Sequence, residues 1–355
     1  MRSFRSTAAL ALIAVLALAG CTTEADGSTG ETTAAEQAPE SSTRTITDMD
    51  GRTVEVPATI DTVATIGSVP VINGFLFAVG AGDKIVSGLP DWAADNPQWK
   101  YQYEFAPQMR DQETVEGPDG PLAEDLVALN PDVILTMSTD QAEPLEQLGL
   151  TVVVLQWYDD TDVKNVITLL GDLFGEPERA QAYTEYFDDA ISRLSDLVAD
   201  EAASDPRTAI YMNPEQMSRP HLIAEWWISQ GGGHSVTSEF TEPRFSFNTE
   251  QLITWDPDVI FVSSPAGVDQ MLADSTLAPL TAVANEEIYP VPIGAHLWGN
   301  RTSEQPLTAF WAASMLYPDS VSYEDLLAEV EYFYTIIYDS DLTDDQLNEI
   351  ASGER

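Results

Sequence analysis

Lysine is nearly missing from this chain of 355 residues. Only Lys84, Lys100 and Lys164 occur, and lysines and arginines together number 15 against 59 aspartates and glutamates, a formal net charge of −44. Such a chain brings few cations to a phosphate backbone, which excludes ordinary nucleic-acid binding. Cysteine occurs once, at Cys21, so no intramolecular disulfide is available and the fold must rest on its apolar cores. Catalytic signatures are missing too: there is no GxSxG nucleophile elbow, no HExxH metal helix and no GxxxxGK[ST] phosphate loop. With so many carboxylates an acid pair of the glycosidase kind stays open by counting alone, yet no spacing singles out one with a positioned partner. What is present is core material, with 44% hydrophobic and 9% aromatic residues. That composition belongs to a globular protein rather than an acidic disordered tail. At roughly 100 to 200 residues per domain, the length allows two or three domains.

The chain begins MRSFRSTAALALIAVLALAGC, where Arg2 and Arg5 precede an apolar run from Ala8 to Gly20. The run is long enough for the core of an export signal and shorter than the roughly 20 residues that span a bilayer. Its end, Leu18, Ala19, Gly20 and Cys21, resembles the lipobox of bacterial lipoproteins, in which the cysteine is lipidated and becomes the mature N-terminus. The alternative is a plain secretory signal (1–21) that happens to contain a cysteine. Residues 22–44 are rich in Thr, Glu, Ala and Ser with almost no large apolar side chain. They are expected to form a flexible tether, with ordered structure from about Thr45.

In the segment TRTITDMDGRTVEVP, apolar residues alternate on both sides of Asp50 and Gly51, the pattern of a hairpin with an Asp-Gly turn. Short strand-like runs follow (VATIGS, KIVSGL, DVILTM, TVVVLQW), separated by helical stretches such as PLAEDLVALN. Residues 163–203 carry apolar side chains at helical spacing, including Tyr183, Phe187, Ile191, Leu194 and Val198, with a break at Gly175 to Pro177. The strand pattern then restarts in RTAIYM, DVIFVSS and EIYPVPIG. The fold class expected is α/β: a lobe over 45–162, a helical bridge over 163–203 and a second lobe over 204–355. An internal repeat supports the division. LAEDLVALNPDVILTMS (122–138) and NTEQLITWDPDVIFVSS (248–264) both place a glutamate, Glu124 or Glu250, seven residues before a Pro-Asp-Val-Ile strand start, at an offset of 126.

These elements, with LLGDLFGEPERAQAY, QGGGHSV and YPVPIGAHLWGNRTSEQPLTAFWAASMLYPD in the same order, resemble the lipid-anchored substrate-binding proteins of ABC importers for iron complexes and vitamin B12. The resemblance covers essentially the whole mature chain. It implies two Rossmann-like lobes bridged by one rigid helix, with a ligand in the cleft between them. It also implies that Glu124 and Glu250 dock into arginine pockets of a membrane permease. The alternative for each is an ordinary solvated glutamate at a helix start, where it suits the dipole.

Ligands of open α/β sheets lie beyond the carboxyl ends of the strands. The loops expected there bring Trp92 and Tyr101 from the aromatic insert PDWAADNPQWKYQYEFAPQ, then Trp157 and Tyr158, and from the second half Arg219, His296, Trp298 and Arg301. Aromatic walls with one or two arginines suit a bulky, partly planar ligand with peripheral oxygens. Lobe packing for Trp157, Tyr158 and Trp298, and surface ion pairs for the two arginines, stay open as alternatives. Three histidines, His221, His234 and His296, invite a bare-metal reading, but zinc needs three or four ligands in one place. His234, after three glycines, reads as structural, and no direct metal site is expected; His296 alone has a place completing a partly saturated chelate. The function expected is capture of a metal chelate, a ferric siderophore first, with cobalamin, haem or a nickel chelate as alternatives. An exported hydrolase or a sensory lipoprotein is the remote competitor. No cofactor is expected. The partners expected are a permease with its ATPase, a small-molecule chelate and a membrane met through the lipid anchor only, the protein itself being a monomer.

Overall fold

The computed structural model describes residues 42–353, so Cys21, the signal segment and most of the expected tether lie outside the described residues. Two parallel sheets organise the chain. Val63–Thr65, Val133–Thr136 and Val152–Val154 pair in that order in the first sheet. His234–Ser235, Thr208–Met212, Val259–Val262 and Ile288–Pro290 pair in that order in the second. Successive strand residues point to opposite faces. Val133, Leu135, Ala209, Tyr211, Val259 and Phe261 therefore enter one large core shared with the bridging helices. Their neighbours Ile134, Val152 and Val154 fill an outer core of the first lobe, and Ile210, Met212, Ile260 and Val262 one of the second. Strands covered on both faces cannot alternate apolar with polar, which is why VILT and VIFV read as unbroken apolar runs.

The repeat has a structural cause. Helices Ala123–Leu129 and Thr249–Trp255 both stop at a left-handed residue, Asn130 (φ 47°) and Asp256 (φ 41°). Proline follows in each, and then an aspartate that locks the start of the neighbouring strand. Asp132 Oδ2 accepts the N–H groups of Asp61 (2.8 Å) and Thr62 (2.9 Å), and Thr62 Oγ1 accepts the Asp132 N–H. Asp258 Oδ2 accepts the N–H (2.8 Å) and hydroxyl (2.7 Å) of Thr208, whose oxygen accepts the Asp258 N–H. The Pro-Asp pair thus sets the start of each central strand.

Helix Asp160–Phe174 ends at Gly175 (φ 75°), and Pro177 opens the 28-residue helix Pro177–Ser204. At 1.5 Å per residue this second helix is about 42 Å long. It alone bridges: it packs on Val69–Ala78 at one end and on Ala224–Gln230 and Gln305–Leu316 at the other, whereas Asp160–Phe174 packs within the first lobe. The far end of the chain, within the expected second lobe of 204–355, also reaches the first half. Helices Tyr323–Ile336 and Asp344–Ser352 return to the aromatic insert of the first lobe, where Phe105 stacks on Tyr334 at 5.3 Å and Lys100 Nζ donates to both oxygens of Glu349 at 2.6 Å. The hairpin Thr43–Thr47 with Thr53–Pro57 turns at Asp50 and Gly51, beginning two residues before the expected onset of order at Thr45. Buried Asp48 ties it to the first sheet by accepting the Val154 N–H. No helix among the described residues is long and apolar enough to cross a membrane.

Candidate ligand-binding site

Parallel strands deliver all their following loops to one edge, and in each lobe that edge faces a common cavity of about 260 Å3. Gly67, Ser68, Met137 and Trp157 reach it from the first sheet, and His221, His296, Asn300 and Arg301 from the second half of the chain. Trp92, 57% exposed, stands at its edge. A larger groove of about 790 Å3 lies between Pro177–Ser204 and Tyr323–Ile336, with no strand-end residue in its lining, and its arginine, Arg193, is already paired with Glu329.

None of the cavity's lining residues is acidic, in a chain with 59 acidic side chains. Arg301 makes no ion pair among the described residues, and its buried Nε has no hydrogen-bond partner. Burial lowers the guanidinium pKa from its ordinary value, against the opposing pull of Asp159, Asp162 and Tyr158. Burial also pushes His221 down to about 4, helped by the positive charges of Arg301 and Arg244. His296 falls to about 4 for the same first reason, with its bond to the Leu297 carbonyl opposing and His221 assisting. Two neutral imidazoles and one cation without an ion-pair partner therefore face the same space.

The loop that carries His296 and Arg301 is fixed from below. Glu304, fully buried, accepts the N–H groups of Ala295 (2.9 Å) and His296 (3.0 Å) and the hydroxyl of Tyr334. Burial raises its carboxyl above the ordinary range despite those donors. Across the lobes, Trp157 Nε1 donates to the Arg301 carbonyl (3.2 Å), Gln102 Nε2 to the Ala295 carbonyl (2.6 Å) and Ser303 Oγ to the Gly74 carbonyl (2.9 Å), while within the first lobe Gln102 Nε2 also donates to the Pro70 carbonyl (2.8 Å). Trp99 lies against the His296 ring at 5.2 Å and meets Trp92 edge-on at 5.6 Å. Buried polar bonds between the lobes and a stiff helix behind them leave little scope for a wide hinge.

Of the residues expected at the ligand, the structure brings Trp92, Trp157, His296 and Arg301 together. Four others it places elsewhere. Arg219 is fully buried, paired with Glu225 and donating to the carbonyls of Thr237, Phe240 and Glu242, so its charge is spent inside the second lobe. Trp298 is fully buried and contributes no ring surface to the cavity. Tyr101 is buried with its hydroxyl donating to the Gln346 carbonyl, and Tyr158, 70% exposed, lies outside the lining. Glu124 and Glu250 are both exposed on their helices. His221, one of the three histidines noted in the sequence and carried by a loop expected at the cleft, lines the cavity; so does Asn300, which did not stand out because a lone polar residue in a loop has no periodicity to mark it. Among the described residues no three His, Cys, Asp or Glu side chains converge as a metal cage.

Two parallel α/β lobes on one helical bridge, with a cavity at their facing strand ends, are the architecture of a solute-binding protein. Residues 71–292 match the family described as periplasmic binding protein, and the chain belongs to that family. It is 23% identical over 324 residues to the molybdate-binding protein MolA of Haemophilus influenzae, covering 83% of this chain and 91% of that one. The molybdate-bound structure of that protein superposes with a TM-score of 0.71 at 20% identity, over 84% of this chain and 99% of the other. A cobalamin-binding protein of Halobacterium salinarum is 24% identical over 172 residues, 47% of each chain, so the match spans about half the length of that relative. The iron(3+)-hydroxamate-binding protein YxeB of Bacillus subtilis is 24% identical over 160 residues, 45% of this chain and 44% of that one.

Proposed function

We propose that the protein is the extracytoplasmic binding component of an ABC importer and that its cleft captures a metal chelate, an anionic ferric siderophore before cobalamin, haem or a nickel chelate. Arg301 carries the reading: a guanidinium held in a cavity without acid, its Nε unpartnered, is an electrostatic demand that an anionic ligand meets. Trp92 and Trp157 supply apolar walls for a planar ligand, and Ser68 and Asn300 supply polar contacts at its rim. The hydroxamate- and cobalamin-binding relatives support a chelate. Two histidines without a third ligand fit a chelate that brings most of its own donors better than a bare ion.

Delivery rests on Glu124 and Glu250, matched exposed carboxylates that dock on two basic sites of the permease. Cys21 carries the lipid that holds the protein at the outer face of the bacterial cytoplasmic membrane. A second reading, a bare oxyanion such as molybdate, is favoured by the small cavity volume of about 260 Å3 and by the molybdate-binding relative.

Tryptophan fluorescence, with Trp92 and Trp157 at the cavity, reports the titration that decides between them. The panel is a ferric trihydroxamate, a ferric catecholate, haem, cobalamin, a nickel chelate and molybdate. Saturable quenching by a ferric siderophore supports the chelate, saturation by molybdate alone supports the oxyanion, and silence across the panel overturns the proposal.

A further inference from the structure

The two repeat helices share a second matched feature that the fold does not use. Val127 is 45% exposed and Ile253 41%, and they stand 126 positions apart, like Glu124 and Glu250. On a helix, residues i and i+3 lie about 60° apart around the axis, while i+2 falls on nearly the opposite side. The i+2 residues, Leu126 and Leu252, are fully buried in the outer cores of their lobes. Each glutamate and its branched apolar neighbour therefore share the outward face. Valine and isoleucine are mediocre helix formers and gain nothing by standing in water, so packing within the fold does not account for their position on both copies.

Resting on the docking reading above, we propose that each docking point is a two-residue unit, Glu124 with Val127 and Glu250 with Ile253. The occupant is a membrane permease with two matching sites, each a basic pocket bordered by apolar surface. Charge complementarity selects a basic partner, because both helices begin with acid (Glu124 and Asp125 on one, Glu250 on the other). The repeat, which presents the same pair once from each lobe, selects a partner that is itself two-fold. An apolar side chain beside each carboxylate displaces water from the ion pair, which is worth little while it stays solvated.

The test measures the affinity of the ligand-free protein for the permease and ATPase complex reconstituted in nanodiscs. Val127→Ser with Ile253→Ser is expected to weaken binding about tenfold, from two partly buried branched side chains. Its melting temperature is expected to fall only slightly, since close to half of each side chain already stands in water, and its response to the fluorescence panel is expected to stay unchanged. Glu124→Ala with Glu250→Ala is expected to weaken binding and to remove its salt dependence. If the serine variant binds like the parent while the alanine variant does not, the two-residue unit is wrong and glutamate docking stands. If the alanine variant also binds like the parent, the docking reading itself is lost.

Discussion

Gly294 offers the sharpest test of how the binding loop is held. A Cβ at this position would stand well inside contact with Glu304 Oε1 and the Tyr334 hydroxyl, both buried. Neither can step aside cheaply, because Glu304 anchors the N–H groups of Ala295 and His296. Overpacking a tight site costs about 1–3 kcal/mol, and each buried donor stranded by a displaced carboxylate adds about 1–3 kcal/mol. With partial relaxation, Gly294→Ala should lose roughly 3–6 kcal/mol out of a domain stability of about 5–15 kcal/mol. Gly149→Ala is the control: its backbone is left-handed (φ 87°), but no atom lies within 4 Å of the added carbon, so only conformational strain of about 1–2 kcal/mol applies. Urea unfolding of the two variants side by side reads the difference. Equal losses would refute the contact account of the loop.

Arg301→Met should abolish detectable binding of anionic panel compounds while leaving the melting temperature unchanged or raised, since it removes a half-buried cation that makes no ion pair among the described residues and whose buried Nε has no partner; a saturating titration within threefold of the parent counts against the site. Arg219→Met should do the reverse, costing about 3–5 kcal/mol of stability because Glu225 and three carbonyls lose their donor, and melting curves check it. His221 and His296 titrate near 4 in place of the ordinary 6.5, so the unfolded chain takes up protons below about pH 6.5 while the native state does not. Stability should therefore fall as pH drops from 6.5 towards 4, and the double substitution to Gln should flatten that limb in urea midpoints read at three pH values. A bound anion favours the protonated imidazoles, so molybdate or a ferric siderophore that binds should bind more tightly at pH 5.5 than at 7.5, with calorimetry reporting proton uptake; release of protons would contradict the placement of both histidines.

Strands whose two faces are both buried announced themselves as apolar runs, and the repeated Pro-Asp marked two strand starts because the aspartate bonds a threonine on the adjacent strand. The bridge was legible for a similar local reason, its break falling where Gly175 takes a positive φ and Pro177 opens the next helix. The direction of a loop side chain is not local in this way. Tyr101 turns inward because a carbonyl 245 positions later in the chain, that of Gln346, receives its hydroxyl, and Arg219 because the turn from Thr237 to Glu242 presents three carbonyls to it. No window around either residue contains that information. The return of Tyr323–Ile336 and Asp344–Ser352 to the first lobe was hidden likewise, since their apolar faces fit a helix on either half of the molecule.

Charge distribution held one signal that spacing did not. A body of net charge −44 repels anions at a distance, but at physiological ionic strength that field is screened within about 8 Å, so a ligand at the cavity responds mainly to the groups lining it. Those groups are one arginine and two neutral imidazoles, with every carboxylate kept out of the lining. Acid is abundant on the helices that face outward, at Glu124, Asp125 and Glu250, and absent from the cavity lining, although the segments after the strands carry it at Asp140, Asp159 and Asp160. In so acidic a chain, a cavity lining without acid and with a single arginine is a narrower signal for an anionic ligand than tryptophan and tyrosine in a loop, because aromatic rings serve cores and cavities equally well.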